Sequence, residues 1–192
     1  MKSFFEAYFL FGLVAGTVIR TVYGIRHKRA VAAFRFAESP VMFVLMTLWG
    51  LAQVLAIVYV FSSRLDFADY ILPAGAGWAG VVVFTVGVVL LWRAHADLGR
   101  NFSPFLEAKE DHTLVTGGIY NTVRHPMYAA HFLWVIGQAL LLHNWLAGAS
   151  GIILFLPIYY IRVGREESFM LERFGDDYRR YMGRTGRIFP KM

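Results

Sequence analysis

The sequence predicts an all-α integral membrane protein of about five transmembrane helices. The last two form a C-terminal helical hairpin, and amphipathic tail helices follow on the cytoplasmic side. Three observations carry this prediction. Only 17% of the 192 residues are charged while 57% are hydrophobic, where soluble domains run at about 25% charged. The mean hydropathy is +0.50. The apolar residues come in long uncharged runs, 21 residues from Val41 to Phe61 and 18 from Gly75 to Trp92, and runs of about 18 or more read as membrane spans.

The first span runs from Phe4 to Tyr23. It begins after Met1-Lys2-Ser3 like a secretion signal, but it continues past Gly16 without an Ala-x-Ala cleavage site, so it reads as a retained helix. Glu6 and Arg20 lie near its two ends, where charged side chains can snorkel to the interface. Gly12 and Gly16 form a GxxxG pattern that lets another helix of the same chain approach closely.

A basic loop with Arg26, Lys28, Arg29 and Arg35 leads to the second span, Val41 to Phe61, introduced by Pro40 in the first helical turn. The loop from Ser62 to Ala74 is weakly charged, and the third span runs from Gly75 to about His95. A polar segment from Arg93 to Arg124 follows. Met127 to Leu142 and Leu146 to Ile161 are the two arms of the hairpin, turning at His143-Asn144-Trp145. Lysine and arginine concentrate in the loop at 26–35, the segment at 93–124 and the tail, so the positive-inside rule makes that side cytoplasmic. In the tail, Met170, Phe174 and Tyr178 recur every four residues, an amphipathic stripe that Gly175 is expected to break. The whole chain is expected to be one membrane domain, three spans over 1–92 and a functional half over 93–192.

The composition excludes several functions. With no cysteine there is no disulfide, thiolate nucleophile or cysteine-held metal. The histidines His27, His95, His112, His125, His131 and His143 show no HExxH or other ligand spacing, so no metal site is expected. The net charge of +6 is carried by residues that flank apolar runs, which points to membrane lipid headgroups and not to nucleic acid. His112 to Tyr120 holds paired glycines but neither GxGxxG nor a P-loop.

Polar residues crowd two stretches, 101–128 and 162–187. The hairpin that begins at Met127 returns to the side it left, so Arg124 and His125 are expected beside Arg162, Arg165, Glu166 and Glu167. Arg162 and Glu166 share a helical face. A cation at a helix N-terminus is unfavourable, so Arg124 requires an acidic partner, Glu166, Glu167 or a ligand carboxylate.

The ordered set HTLVTGGIYNTVRHPMY, an apolar hairpin, and RVGREESFMLERFGDDYRRYM closing on RIFP resembles the isoprenylcysteine carboxyl methyltransferase family, as a small prokaryote-like member. The larger superfamily includes phospholipid N-methyltransferases. The match covers residues 93 to 190, and the three N-terminal spans are similar in hydropathy only. The resemblance implies an enzyme that uses S-adenosyl-L-methionine without a Rossmann domain and releases S-adenosyl-L-homocysteine. It implies a cofactor pocket of His112, Leu114, Val115, Tyr120, His125, Pro126 and Tyr128. It assigns Arg162 and Glu166, with Glu167 adjacent, to the chemistry. Glu107 matches a family glutamine only out of register, and Ala130 stands where eukaryotic members carry glycine. The implied substrate is a lipophilic small molecule or lipidated protein that enters from the bilayer, most simply the carboxylate of a prenylcysteine. Chemistry supports the implication. A carboxylate needs no general base to become a nucleophile, an arginine holds it in a bidentate contact, and Tyr120 or Tyr128 could face the sulfonium. Three other readings stay open on the sequence: a phospholipid amine acceptor, which needs a base, an NADPH-dependent sterol-type reductase, and a non-catalytic scaffold or transporter.

Overall fold

The computed structural model describes residues 4–26, 32–35, 39–99, 107–109 and 113–191. Five helices carry the chain: α1 (Phe4–Arg26), α2 (Pro40–Phe61), α3 (Ala76–Leu98), α4 (Pro126–Leu142) and α5 (Ser150–Arg184). α1, α2, α3 and α5 are long and apolar enough to cross a bilayer, and α4 is a shorter apolar helix. The chain is a multi-pass membrane protein. Two short strands, β1 (Ala32–Arg35) and β2 (Glu107–Lys109), pair antiparallel and join the α1–α2 and α3–α4 connections at one end of the bundle.

Local chemistry sets the helix ends. Ser39 caps α2, its Oγ accepting from the Met42 amide at 3.2 Å, with Pro40 as the first helical residue. α3 runs three residues beyond His95 and stops at Gly99, whose φ of 53° suits glycine. α4 opens on Pro126 and closes on His143 at φ 47°. A single π turn, Trp145–Ala149, then leads into α5. The second hairpin arm does not stop at Ile161. α5 continues to Arg184 and breaks only at Gly175, at φ 51°. At 35 residues it is about 52 Å of helix, well beyond a ~30 Å hydrocarbon core, so its second half stands clear of the apolar layer.

Close backbone approach holds the bundle together. α3 and α4 form the most extensive helix pairing. A Cβ on Gly137 would lie 2.8 Å from the Phe84 Cα, and one on Gly87 would lie 3.1 Å from the Ala130 carbonyl oxygen. The GxxxG of α1 is spent inside the chain, as expected: Gly12 sits on the Phe84 ring and Gly16 on the Trp134 ring. Phe84 and Trp134 in turn pack with ring centroids 4.6 Å apart. The core around them includes Phe9, Leu91, Val135 and Phe155.

Candidate functional site

The site lies at the strand-bearing end of the bundle. α4 begins there, α5 leaves the apolar layer there, and residues 185–187 fold back onto both. The fold-back is a backbone pairing. Val123 bridges Gly186 in parallel, and the amides of Arg124 and His125 donate to the carbonyls of Gly186 and Arg187 at 2.9 Å each.

Glu166 and Glu167 are neighbours in sequence and point about 100° apart around the helix. Glu167 is buried, and its carboxylate accepts from Arg124 Nε at 2.7 Å, from Arg187 Nη2 at 2.6 Å and Nε at 3.2 Å, and faces His125 Nε2 at 3.3 Å. Arg124 also donates to the Thr185 carbonyl at 2.5 Å. The acidic partner that Arg124 requires at the start of α4 is therefore Glu167. Glu166 takes a different place. Its Oε1 accepts from the Tyr128 hydroxyl at 2.6 Å and lies 3.7 Å from Arg162 Nε, and its Oε2 is 3.6 Å from His125 Nδ1.

His125 thus has one ring nitrogen toward each carboxylate. Burial favours its neutral form, but the two carboxylates outweigh burial and raise its pKa above the usual histidine value. Protonated, it donates in both directions. The Arg187 pKa is likewise raised by its bonds to Glu167. Arg124, His125, Arg162 and Arg187 together give four cationic groups around two carboxylates. An anion is welcome there.

A cavity of about 550 Å³ opens beside this cluster, within the ~300–1,000 Å³ common for small-molecule sites. Leu114, Val115, Tyr120, His125, Pro126, Tyr128, Arg162 and Glu166, all expected from the sequence, line it. Glu167 does not. It sits behind the wall as the acceptor of the arginine pair. His112 lies outside the described residues. The Tyr120 hydroxyl donates to the Ala94 carbonyl at 3.4 Å, and burial raises its pKa, so it stays neutral. Its carbonyl accepts from the Tyr181 hydroxyl at 2.6 Å, which brings the tail beyond Gly175 onto the cavity. Asp97 accepts from the Ile119 amide at 2.8 Å and fixes the glycine turn, where Gly118 has φ 60°.

The lining residues outside the expected set include Tyr178 and Tyr181 from the tail, and Arg20 and His131 from within the membrane helices. Arg187 was also not anticipated as a partner. It opens the RIFP segment quoted for the resemblance, but its pairing with Glu167 emerges only from the long-range contact of 186–187 with 123–125. Among the described residues no cluster of His, Cys, Asp and Glu could hold a metal ion.

The model of the phospholipid methyltransferase family matches residues 76–177, more than half of the chain. The chain belongs to the phospholipid methyltransferase family. This family region contains every lining residue from Leu114 to Glu166 named above, and excludes Arg20 and Arg187. Among relatives, the protein-S-isoprenylcysteine O-methyltransferase of Schizosaccharomyces pombe is 35% identical over 98 residues, covering 50% of this chain and 42% of that protein. The protein of the same name in Homo sapiens is 34% identical over 116 residues, covering 58% of this chain and 41% of that protein. Each alignment therefore spans under half the length of the relative. A solved structure of the eukaryotic intramembrane Ras methyltransferase, isoprenylcysteine carboxyl methyltransferase, superposes with TM-score 0.62 at 26% identity, covering 94% of this chain and 62% of that one. The resemblance drawn from residues 93 to 190 is borne out by these matches, and so is the all-helical membrane fold.

Proposed function

We propose that the chain transfers a methyl group from S-adenosyl-L-methionine to the carboxylate of a prenylcysteine-like, lipid-tailed acceptor. The single observation that carries the reading is the cavity's two-sided lining. Arg162, Glu166, His125 and Tyr128 form its polar part, and Leu13, Met46, Trp49, Trp134, Phe155 and Ile158 form an apolar part among the membrane helices. One substrate can come from water and the other from lipid. The names of the relatives and of the superposed structure support the same acceptor class.

The residues fit the donor. Its carboxylate suits the cation-rich cluster, its amino group suits Glu166, and its adenine suits the aromatic and aliphatic wall of Leu114, Val115, Tyr120 and Tyr181. When bound, the donor supplies an electrophilic methyl group on a sulfonium. Everything else falls to the chain. Arg162 holds the acceptor carboxylate in a fork of N–H donors. Glu166, fixed by the Tyr128 hydroxyl and by His125, orients Arg162. Glu167 holds Arg124, Arg187 and His125 in place from behind. The apolar wall excludes water, which favours a step in which opposite charges annihilate. His112 is assigned to the same cofactor pocket by resemblance alone.

The basic end of the bundle, with the site, faces the cytoplasm in this reading, and residues 1–192 act as one methyltransferase domain, the first three helices supplying the acceptor's side of the cavity. An amine acceptor is less well served, because the carboxylate at the cavity is engaged by Tyr128 and Arg162 and is not placed as a free base. Calorimetric titration of the detergent-purified chain with S-adenosyl-L-homocysteine, and in parallel with NADPH, tests the proposal. Saturable binding of the first alone supports it, and binding of NADPH alone overturns it.

A further inference from the structure

Arg20 belongs to α1, outside the family region, and is expected from sequence to snorkel to the interface. It does not. Its Nη1 reaches across to His131 Nε2 of α4 at 3.4 Å, and both residues line the cavity. His131 Nδ1 lies 2.7 Å from the Met127 carbonyl, so the proton sits on Nδ1 and Nε2 accepts from the guanidinium. A neutral imidazole leaves the arginine charge uncompensated. Among the described residues no carboxylate pairs with Arg20, and Arg162, another cation, lines the same cavity. Two guanidiniums on one cavity among membrane helices repel each other, and an anion between them relieves that repulsion.

We infer that Arg20 is the second cation of the acceptor site, so that the carboxylate head of the lipid-tailed acceptor lies between Arg20 of α1 and Arg162 of α5. The inference rests on the proposed methyl transfer for the identity of the acceptor. It doubles the charge that Arg162 of the family region sets against the acceptor. The acid carries a charge that both arginines hold, and its methyl ester carries none. The same pair that captures substrate therefore lets product go. The tail runs from this head along Trp49, Trp134 and Phe155.

The test is calorimetric binding of N-acetyl-S-farnesylcysteine and of its methyl ester to the full detergent-purified chain, without any methyl donor. The wild type should bind the acid at least about tenfold more tightly than the ester, the worth of a hydrogen bond to a charged group. Arg20→Gln should remove most of that preference, and Arg20→Lys should keep part of it. S-adenosyl-L-homocysteine affinity should stay within about twofold in all three, since Arg20 serves the acceptor's charge and not the donor's. An unchanged acid preference in Arg20→Gln overturns the inference, as does a loss confined to S-adenosyl-L-homocysteine binding, which would place Arg20 on the donor. If Arg20→Gln fails to fold, Arg20→Met makes the same comparison with an apolar chain of similar length. A wild type that binds no S-adenosyl-L-homocysteine yet shows an Arg20-dependent acid preference would end the methyltransferase reading and leave the anion site standing.

Discussion

The two ends of the helix bundle handle buried polar groups in opposite ways. At the hairpin turn, Asn144 is fully buried and fully used. Its amide donates to the Leu65 carbonyl at 2.7 Å and to Asp69 Oδ1 at 2.8 Å, while its Oδ1 accepts from the Leu146 and Ala147 amides at 3.0 and 2.9 Å. Tyr70 completes the closure, its hydroxyl donating to the Ala139 carbonyl at 2.6 Å. None of Asn144, Asp69 and Tyr70 lines the cavity at the other end. At the other end Glu167 is saturated in the same manner, but one residue away Glu166, paired with Arg162, lines a cavity. A buried polar cluster that closes on itself fastens the fold, and one that opens binds. The site end contains both kinds, set apart by a single step along α5.

Removing the fastening carboxylate should have the largest effect. Glu167→Ala leaves Arg124 and His125 buried without their acceptor, and loss of one partner of a buried ion pair costs about 3–5 kcal/mol. Thermal unfolding in detergent should show a large drop, with binding of S-adenosyl-L-homocysteine lost as a consequence. Glu166→Gln should separate the two kinds of cluster. Methyl transfer should fall on the order of 10²–10³-fold, as when one preorganised group is removed from an active site, while the unfolding temperature falls far less than in Glu167→Ala. If both variants lose stability equally, the contrast between the two glutamates is wrong. Asn144→Ala reverses the pattern: about 1–3 kcal/mol of stability should go, because Asp69 and the amides of Leu146 and Ala147 lose their partner, with ligand affinity in the remaining folded protein unchanged.

The smallest effect is that of pH. The folded-state pKa of His125 is raised above its unfolded value. Its stabilising contribution is therefore fully present below the unfolded value, about 6.5, and is lost as pH rises through the raised folded value. Unfolding temperature measured upward from pH 6 should decline more steeply in the wild type than in His125→Asn, and parallel curves would show that His125 is not held charged.

Much of this was legible in the sequence, for particular reasons. Charge-free runs define membrane helices because lipid leaves no alternative for the backbone, and a hairpin must return to its own side, which placed His125 beside Glu166. The break at Gly175 followed from the absence of a Cβ. The division of labour between Glu166 and Glu167 was not legible, because which face of α5 meets α4 is a tertiary fact. Arg187 and Arg20 were missed for the same reason. One reaches the site through a backbone pairing with residues more than sixty positions earlier. The other has the spacing of an ordinary interfacial arginine and meets His131 on the cavity wall.

The fold-back of residues 185–187 also orders events in time. Proteins emerge from the ribosome N-terminus first, so α4 is synthesised, with Arg124 and His125 at its mouth, before either Glu167 or Arg187 exists. The turn around Asn144 needs only the π turn Trp145–Ala149 beyond it and can close while α5 is being made. The strand-bearing end has to wait until the five helices are out, and it locks only when Gly186 and Arg187 dock. A nascent chain is therefore inserted into the bilayer as a bundle with one finished end and one open end, and the cluster around Glu167 is completed only once residues 186 and 187 have followed the five helices.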